Sequence, residues 1–230
     1  MKTILLALVI LFPTYLLAQN LVSNHDFETY SNCPKSLGEV KLAASWSCPN
    51  AGTPDYFNDC SSSLDFGTEF NKKGGQIAHS GHGYAGFQSE VLNRNEFFEY
   101  LETSLTEPLV ADSMYCIRMY VSQGTSTVSL RDIGVAFSQV ELKNLPATKI
   151  RIPFVHVGNG GVLSDSTHWM CITGNYKARG GERYLTIGDF SPADDFIDSR
   201  ENKIFQIAYY FVDDVSVFMM PDQKACLCKP

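Results

Sequence analysis

Apolar and polar residues alternate with a period of two along most of the chain, as in half-buried β-strands. Short β-branched and aromatic runs are broken by Gly, Pro, Asn and Asp, and helical periodicity is nearly absent. Many short strands at this spacing predict an all-β fold, a two-sheet antiparallel jelly-roll sandwich. The predicted strands are residues 21–27, 83–90, 96–105, 114–122, 132–138, 149–156, 168–176, 183–188 and 207–218.

Two long segments lack this alternation, at residues 30–73 and 158–165. Loops longer than about 12–15 residues in a compact domain are usually functional or disordered. The first segment contains cysteines and aromatic residues, so we expect it to be ordered and functional.

The start of the chain has the pattern of a secretory signal peptide. Lys2 precedes an apolar run at residues 4–12, and Ala18 ends the segment with a small residue. The run is too short to span a bilayer, and no second long apolar stretch follows. We therefore expect a signal peptide at residues 1–18, a domain at 19–220 and a tail at 221–230. The mature chain, without a transmembrane segment, should be secreted to the periplasm or cell surface.

Composition narrows the class of protein. An apolar fraction of 44% predicts a packed core, and about 210 residues are ordinary for one large sandwich. The net charge of −7 disfavours nucleic acid as a partner. Seven cysteines in an exported chain predict disulfides with one thiol left over. There is no Cys-x-x-Cys pair, which disfavours a zinc site.

Carboxylates near the two ends of the chain are candidate metal ligands. Asn24, Asp26 and Glu28 alternate on one side of the first predicted strand and offer the oxygen ligands that Ca²⁺ accepts. In the last strand, strict alternation puts Asp213 on the face of Val215, where a bare charge is costly. The pattern fits either a structural Ca²⁺ between the two strands or carboxylates held by hydrogen bonds.

Aromatic and polar residues in and just after the first long loop are candidate ligands for a glycan. Flat rings can lie against sugar rings, and neighbouring polar groups can bond hydroxyls. The competing interpretation is that the rings belong to the core. The candidates are Trp46, Asp55, Tyr56, Phe57, Asn58 and Tyr84.

The sequence offers little for catalysis. Residues 78–83 bring Ser80 near two histidines, but they do not form a Gly-x-Ser-x-Gly nucleophile elbow. Residues 188–191 lack a Gly-Asp-Ser block because Phe190 intervenes. The sequence does not exclude a carboxylate pair for glycoside hydrolysis, because it does not give the distance between two carboxylates. We expect no enzymatic activity.

Several segments resemble known domains. Residues 20–28 (NLVSNHDFE) and 210–217 (YFVDDVSV) resemble the bracketing strands of carbohydrate-binding-module jelly rolls with a galactose-binding-like fold. Trp46, together with residues 52–58 (GTPDYFN), 80–86 (SGHGYAG) and 181–188 (GERYLTIG), is similar to the N-terminal domain of secreted Bacteroidota proteins. Some of those proteins continue into an OmpA-like peptidoglycan-binding domain. The resemblance covers essentially the whole mature chain.

This resemblance implies a structural calcium held partly by Glu28 and Asp213, and it implies no catalysis. From the alternation in the first predicted strand, we expect Asp26 as a further ligand. No OmpA-like domain follows Cys228. We therefore expect either a stand-alone member or a chain that has been cut.

The resemblance also implies a disulfide, since the usual pair of the group would match Cys33 and Cys60. Cys116 and Cys171 are additional to that pair and fall in predicted strands. A disulfide requires Cα atoms within about 7 Å. We expect Cys116 to pair with Cys171 if the two strands are neighbours.

The leading hypothesis is a non-catalytic module that binds a glycan or cell-wall polysaccharide at the bacterial cell surface or envelope. The alternative is a structural or adhesion domain with an envelope protein as partner. A glycan-active hydrolase is the third.

Overall fold

The computed structural model describes residues 19–92, 95–191, 197–198, 205–220 and 226–228, so the expected signal peptide lies outside the described residues. A 3-10 turn at Val40–Leu42 precedes the first strand. No described helix has the length and apolar character needed to span a bilayer. The strands are β1 Trp46–Ser47, β2 Asp55–Asn58, β3 Gly83–Leu92, β4 Asn95–Phe98, β5 Tyr100–Ser104, β6 Met114–Gln123, β7 Val128–Ser129, β8 Ile133–Ser138, β9 Val155–Val157, β10 Met170–Lys177, β11 Tyr184–Gly188, β12 Ile197–Asp198 and β13 Phe205–Met219.

The strands form two facing antiparallel sheets. Sheet I has the order β1-β5-β11-β8-β9, and sheet II has the order β10-β6-β13-β3-β2, with β4 paired to β3. A short third pair joins β7 to β12. The predicted all-β jelly-roll sandwich with two antiparallel sheets is confirmed.

The main core lies between the two sheets and follows from the alternation of β6. Tyr115, Ile117, Met119 and Val121 face inward and are buried in this core. The intervening residues, among them Tyr120, face outward because successive strand side chains point to opposite sides. Each sheet therefore has an inner face that the fold buries and an outer face that needs its own cover.

Loops supply that cover. On sheet I, Ile150 of the 139–154 segment packs with Phe98 and Tyr100. On sheet II, the 59–82 segment lies over a cluster that includes Phe57 and Tyr84. Both outer faces thus bury aromatic rings.

Three strand predictions are corrected. Residues 21–27 were expected to be a strand but form a turn, because Phe27 donates its N–H to the Asn24 carbonyl and both residues have positive φ. Of the predicted strand at 149–156, only the last residues belong to a strand, β9, because the residues before it cover the outer face of sheet I. The predicted strand at 96–105 is divided at Glu99 into β4 and β5.

The segment at 30–73, expected to be one long loop, contains the 3-10 turn and strands β1 and β2. Strand β2 is buried along its whole length and pairs with β3. With only 4 residues, β2 is too short for an alternation of apolar and polar residues to be recognised in the sequence.

A β-bulge in β13 corrects the predicted face of Asp213. The register shifts between Asp213 and Ser216, and Asp214 has a φ of 48°. Phe211 therefore packs in the outer cluster of sheet II, whereas Val215 packs in the main core. Asp213 does not share a face with Val215, because the bulge adds a residue to one strand.

The expected disulfide between Cys33 and Cys60 is present, with a Cα separation of 5.5 Å. The expected bond between Cys116 and Cys171 is wrong, although their strands are neighbours. In the register of β6 and β10, Cys171 lies opposite Tyr120 and Cys116 opposite Asn175.

The two strand cysteines instead bind the C-terminal tail. Cys116 is bonded to Cys226, and Cys171 to Cys228. Cys48 is the cysteine without a disulfide. The tail is therefore fixed covalently to two neighbouring strands of sheet II.

Several buried carboxyl groups have raised pKa values. Burial raises the pKa of Glu102 to about 7, although Thr186 and the Leu142 N–H bond its oxygens. Burial also raises the pKa of Glu99 to about 7. For Asp189, burial outweighs Lys149 and raises the pKa to about 6. These groups bind protons more tightly in the folded protein than in the unfolded chain.

Stability should therefore fall as the pH rises from 5 to 8. In this range the folded state holds more protons than the unfolded state, so deprotonation favours unfolding. We expect a lower melting temperature at pH 8 than at pH 5, with each kcal/mol worth about 2–4 °C for a domain of this size. Glu102→Gln should reduce the difference. Calorimetry that shows a rising melting temperature over this range would contradict the burial of these acids.

Candidate functional site

The residues expected to contact a glycan lie in the interior. All are at most 3% exposed: Trp46, Asp55, Tyr56, Phe57, Asn58 and Tyr84. Trp46 stacks on Phe27 with ring centroids 4.6 Å apart, and its indole N–H donates to the Asn24 carbonyl. This burial corrects the expectation that these side chains face a ligand, because rings packed on both faces have none left for a sugar.

The polar members of this set are also used internally. The Tyr209 hydroxyl donates to Asp55 at 2.6 Å, and the Gly38 N–H donates to the other Asp55 oxygen at 2.7 Å. The Tyr56 hydroxyl donates to the Phe27 carbonyl and accepts from Asn58. These groups stabilise the fold around β2.

The carboxylates expected to hold calcium contact backbone N–H groups of one loop. One Asp213 oxygen accepts from the N–H groups of His79 at 2.9 Å and Ser80 at 3.2 Å, and the other accepts from Asp214 at 2.8 Å. Burial and the neighbouring Asp214 charge nonetheless raise the pKa of Asp213 to about 8.

Glu28 holds the last residues of the same loop, where it joins β3. One of its oxygens accepts from the N–H groups of His82 at 2.6 Å and Gly83 at 2.8 Å. Asp26 lies in the preceding turn. Within the described ranges, no group of three or more His, Cys, Asp or Glu side chains is placed to hold a metal ion.

The side chains in this arrangement therefore do not fit the calcium site implied by the resemblance, because donors already occupy the Asp213 oxygens. Calcium binding stays a prediction. If an ion binds the folded protein, its removal by a chelator should lower the melting temperature by mass action. Equal melting in excess chelator and in millimolar calcium would leave Asp213 held by hydrogen bonds alone.

The 59–82 loop is fixed to the outer face of sheet II at several points. The Tyr84 hydroxyl donates to the Thr68 carbonyl at 2.8 Å and accepts from Asn71 and the Gln76 N–H. The Trp169 indole N–H donates to the Ile77 carbonyl at 2.8 Å. This anchoring gives the surface of the loop a defined shape.

That surface holds an open depression with a volume of about 410 Å³. Three of its lining residues are exposed apolar side chains: Leu64, Phe70 and Ile77, with Phe70 62% exposed. Large apolar side chains in contact with water commonly mark binding surfaces when they occur together.

The same depression is lined by hydroxyl and carboxylate groups, namely Asp59, Ser61, Ser63, Thr68 and Glu69. The Thr68 hydroxyl donates to one Asp59 oxygen, and the other lies 3.2 Å from a His82 ring nitrogen. Among the described residues that line it there is no lysine or arginine. The depression thus combines an apolar face with acceptors for hydroxyl donors.

A cluster of rings adjoins the depression through Ile77. His79 stacks on Tyr120 at 3.6 Å and meets Trp169 edge-on at 6.1 Å. A His79 ring nitrogen lies 2.5 Å from Asp214, which also accepts from the Ser80 hydroxyl at 2.9 Å. Ser80 and His79 therefore both bond to the carboxylate, which is not the arrangement of a nucleophile with its base.

Sequence analysis missed Phe70 and its neighbours. The one signal was an aromatic residue isolated among polar residues, outside every predicted strand. Trp169 is partly buried against the outer cluster of sheet II.

No family model and no curated protein matches the chain. Among solved structures, the CBM22-1 xylan-binding domain of Xyn10C from Paenibacillus barcinonensis is 14% identical, with 88% of this chain and 95% of that chain covered and a TM-score of 0.47. TmCBM61 in complex with beta-1,4-galactotriose is 14% identical, with coverage of 88% and 100% and a TM-score of 0.42.

A cleaved adhesin domain of Lys-gingipain from Porphyromonas gingivalis is 15% identical, with coverage of 84% and 94% and a TM-score of 0.37. At these identities and TM-scores, the likenesses assign no ligand to this chain.

Substitutions of Trp46 and Phe70 should distinguish a core residue from a surface residue by their effects on stability. Trp46→Ala should lower the free energy of unfolding by about 3–5 kcal/mol, because it empties a buried site. Phe70→Ala should change it by less than about 0.5 kcal/mol, since that ring is exposed. Urea denaturation measures both. Similar losses for the two variants would show that Phe70 is not a surface residue.

Proposed function

We propose that this protein is a non-catalytic glycan-binding module that is exported to the bacterial cell surface or envelope. The observation that carries the proposal is the depression in the 59–82 loop, where the exposed Phe70 ring lies among hydroxyl and carboxylate side chains. A sugar ring has an apolar face and a rim of hydroxyls, so it needs both kinds of contact at once.

Preorganisation supports binding at this surface. Tyr84 and Trp169 anchor the loop from below, and Asp213 holds the N–H groups of its last turn. Ligand binding would then lose little free energy to ordering the loop. The ring cluster around His79 extends the surface for a second sugar unit.

Two features support the proposed location. Residues 1–18 have the pattern of a signal peptide. The three disulfides among the described residues fit an oxidising compartment. Export is therefore part of the proposal.

The chemistry of the depression favours uncharged glycans. Asp59 and Glu69 accept hydrogen bonds from hydroxyls but repel a carboxylate ligand, and no basic lining residue compensates them in the described part of the chain. Acidic polysaccharides such as polygalacturonate should bind more weakly than neutral ones.

A second candidate function is adhesion to a protein. It is favoured by the three exposed apolar side chains Leu64, Phe70 and Ile77, which a protein partner would cover. In that case polysaccharides would not bind, and Phe70→Ala would instead weaken capture of an envelope protein.

Phe70→Ala should weaken glycan binding about tenfold, which corresponds to about 1.4 kcal/mol. Affinity electrophoresis against neutral and acidic polysaccharides, followed by calorimetry on the best ligand, measures the effect. Val140→Ala is the matched control, since Val140 is 69% exposed and does not line the depression. The proposal fails if no polysaccharide binds, or if both variants bind like the unaltered protein.

A further inference from the structure

A second cavity lies at the edge of the sandwich, where β8 and β9 of sheet I approach β10 of sheet II. It has a volume of about 250 Å³ and shares no lining residue with the depression in the 59–82 loop. Its walls are mainly apolar and include Phe137, Leu142, Ile152, Phe154 and Tyr176. Arg179 is also part of the lining.

The walls are held by ring contacts that do not require a ligand. Phe137 stacks on Tyr176 with centroids 4.4 Å apart and an interplanar angle of 20°. Phe154 stacks on the buried Phe190 at 5.5 Å. The space between these rings is a preformed apolar recess between the main core and the cover of sheet I.

Among the described residues that line this cavity, Arg179 is the charged one. Glu182 is a neighbouring buried acid. It accepts hydrogen bonds from the Tyr176 hydroxyl at 2.6 Å and from the backbone N–H groups of Arg179 and Gly180. In the described part of the chain, no carboxylate lies within ion-pair distance of the Arg179 guanidinium. An exposed arginine therefore lies beside an apolar recess, and the neighbouring acid Glu182 already accepts hydrogen bonds from Tyr176 and two backbone N–H groups.

We propose that this cavity binds a small hydrophobic carboxylic acid, whose aromatic or branched aliphatic part enters the recess and whose carboxylate pairs with Arg179. Ligand cavities usually measure about 300–1,000 Å³, so this one fits one group of side-chain size. A planar guanidinium binds a carboxylate through two parallel hydrogen bonds. The Ser138 hydroxyl at the wall already donates to the Val140 carbonyl at 2.7 Å, so Arg179 supplies the donors for the carboxylate.

Two probes of the same shape test this assignment. The first is 3-phenylpropionate and the second is its neutral amide, 3-phenylpropionamide, each titrated into the isotope-labelled protein and followed by NMR at low salt. The acid should bind at least tenfold more tightly than the amide. The shifted resonances should belong to residues 135–138, 152–155 and 176–179.

Arg179→Gln should reduce the affinity for the acid to that for the amide and leave the amide unchanged. Arg151→Gln is the matched control, because Arg151 is an exposed arginine next to the same wall but does not line the cavity. Equal affinity for acid and amide, loss in the control variant, or no binding at 20 mM probe (roughly the weakest useful affinity) would each overturn the proposal. Glycan binding at Phe70 does not depend on this result.

Discussion

The carboxylate of Asp213 organises the outer side of sheet II. It lies in the central strand of sheet II and is fully buried, so its oxygens must be met by hydrogen-bond donors. The backbone N–H groups of His79 and Ser80 provide them, which brings the end of the 59–82 loop onto the sheet. The depression and the ring cluster depend on this loop being held in place. Regular alternation in β13 puts Asp213 on the outer face with Phe211, and the bulge that follows returns Val215 to the main core.

The fold contains more layers than a two-sheet sandwich requires. Aromatic rings fill the space between the sheets and also the space under each covering loop, where Tyr100 and Tyr84 are fully buried with their hydroxyls bonded to the loops. A hydrophobic sheet exterior with a polar anchor at its centre allows a long, polar loop to pack in one position. Binding chemistry can then be carried by the loop without loss of the core.

The existence of strands such as β6 and β13 was predictable because each is a long run rich in β-branched and aromatic residues in the local sequence. The roles of Trp46 and Phe70 were not, because both lie in one irregular segment and only long-range packing separates them. Trp46 meets Phe27, whereas Phe70 meets solvent. The pairing of Cys116 was equally hidden, since it depends on where the tail crosses sheet II.

The tail disulfides give the end of the domain a particular mechanical character. A pulling force applied at Cys228 passes through covalent bonds into β10 and β6, which lie side by side. Although β13 directly precedes the tail, the force does not break the hydrogen bonds of β13 one after another from its C-terminal end. While the bonds are oxidised, a force on Cys228 does not peel β13 from its C-terminal end; once they are reduced, β13 becomes the first element to bear the load.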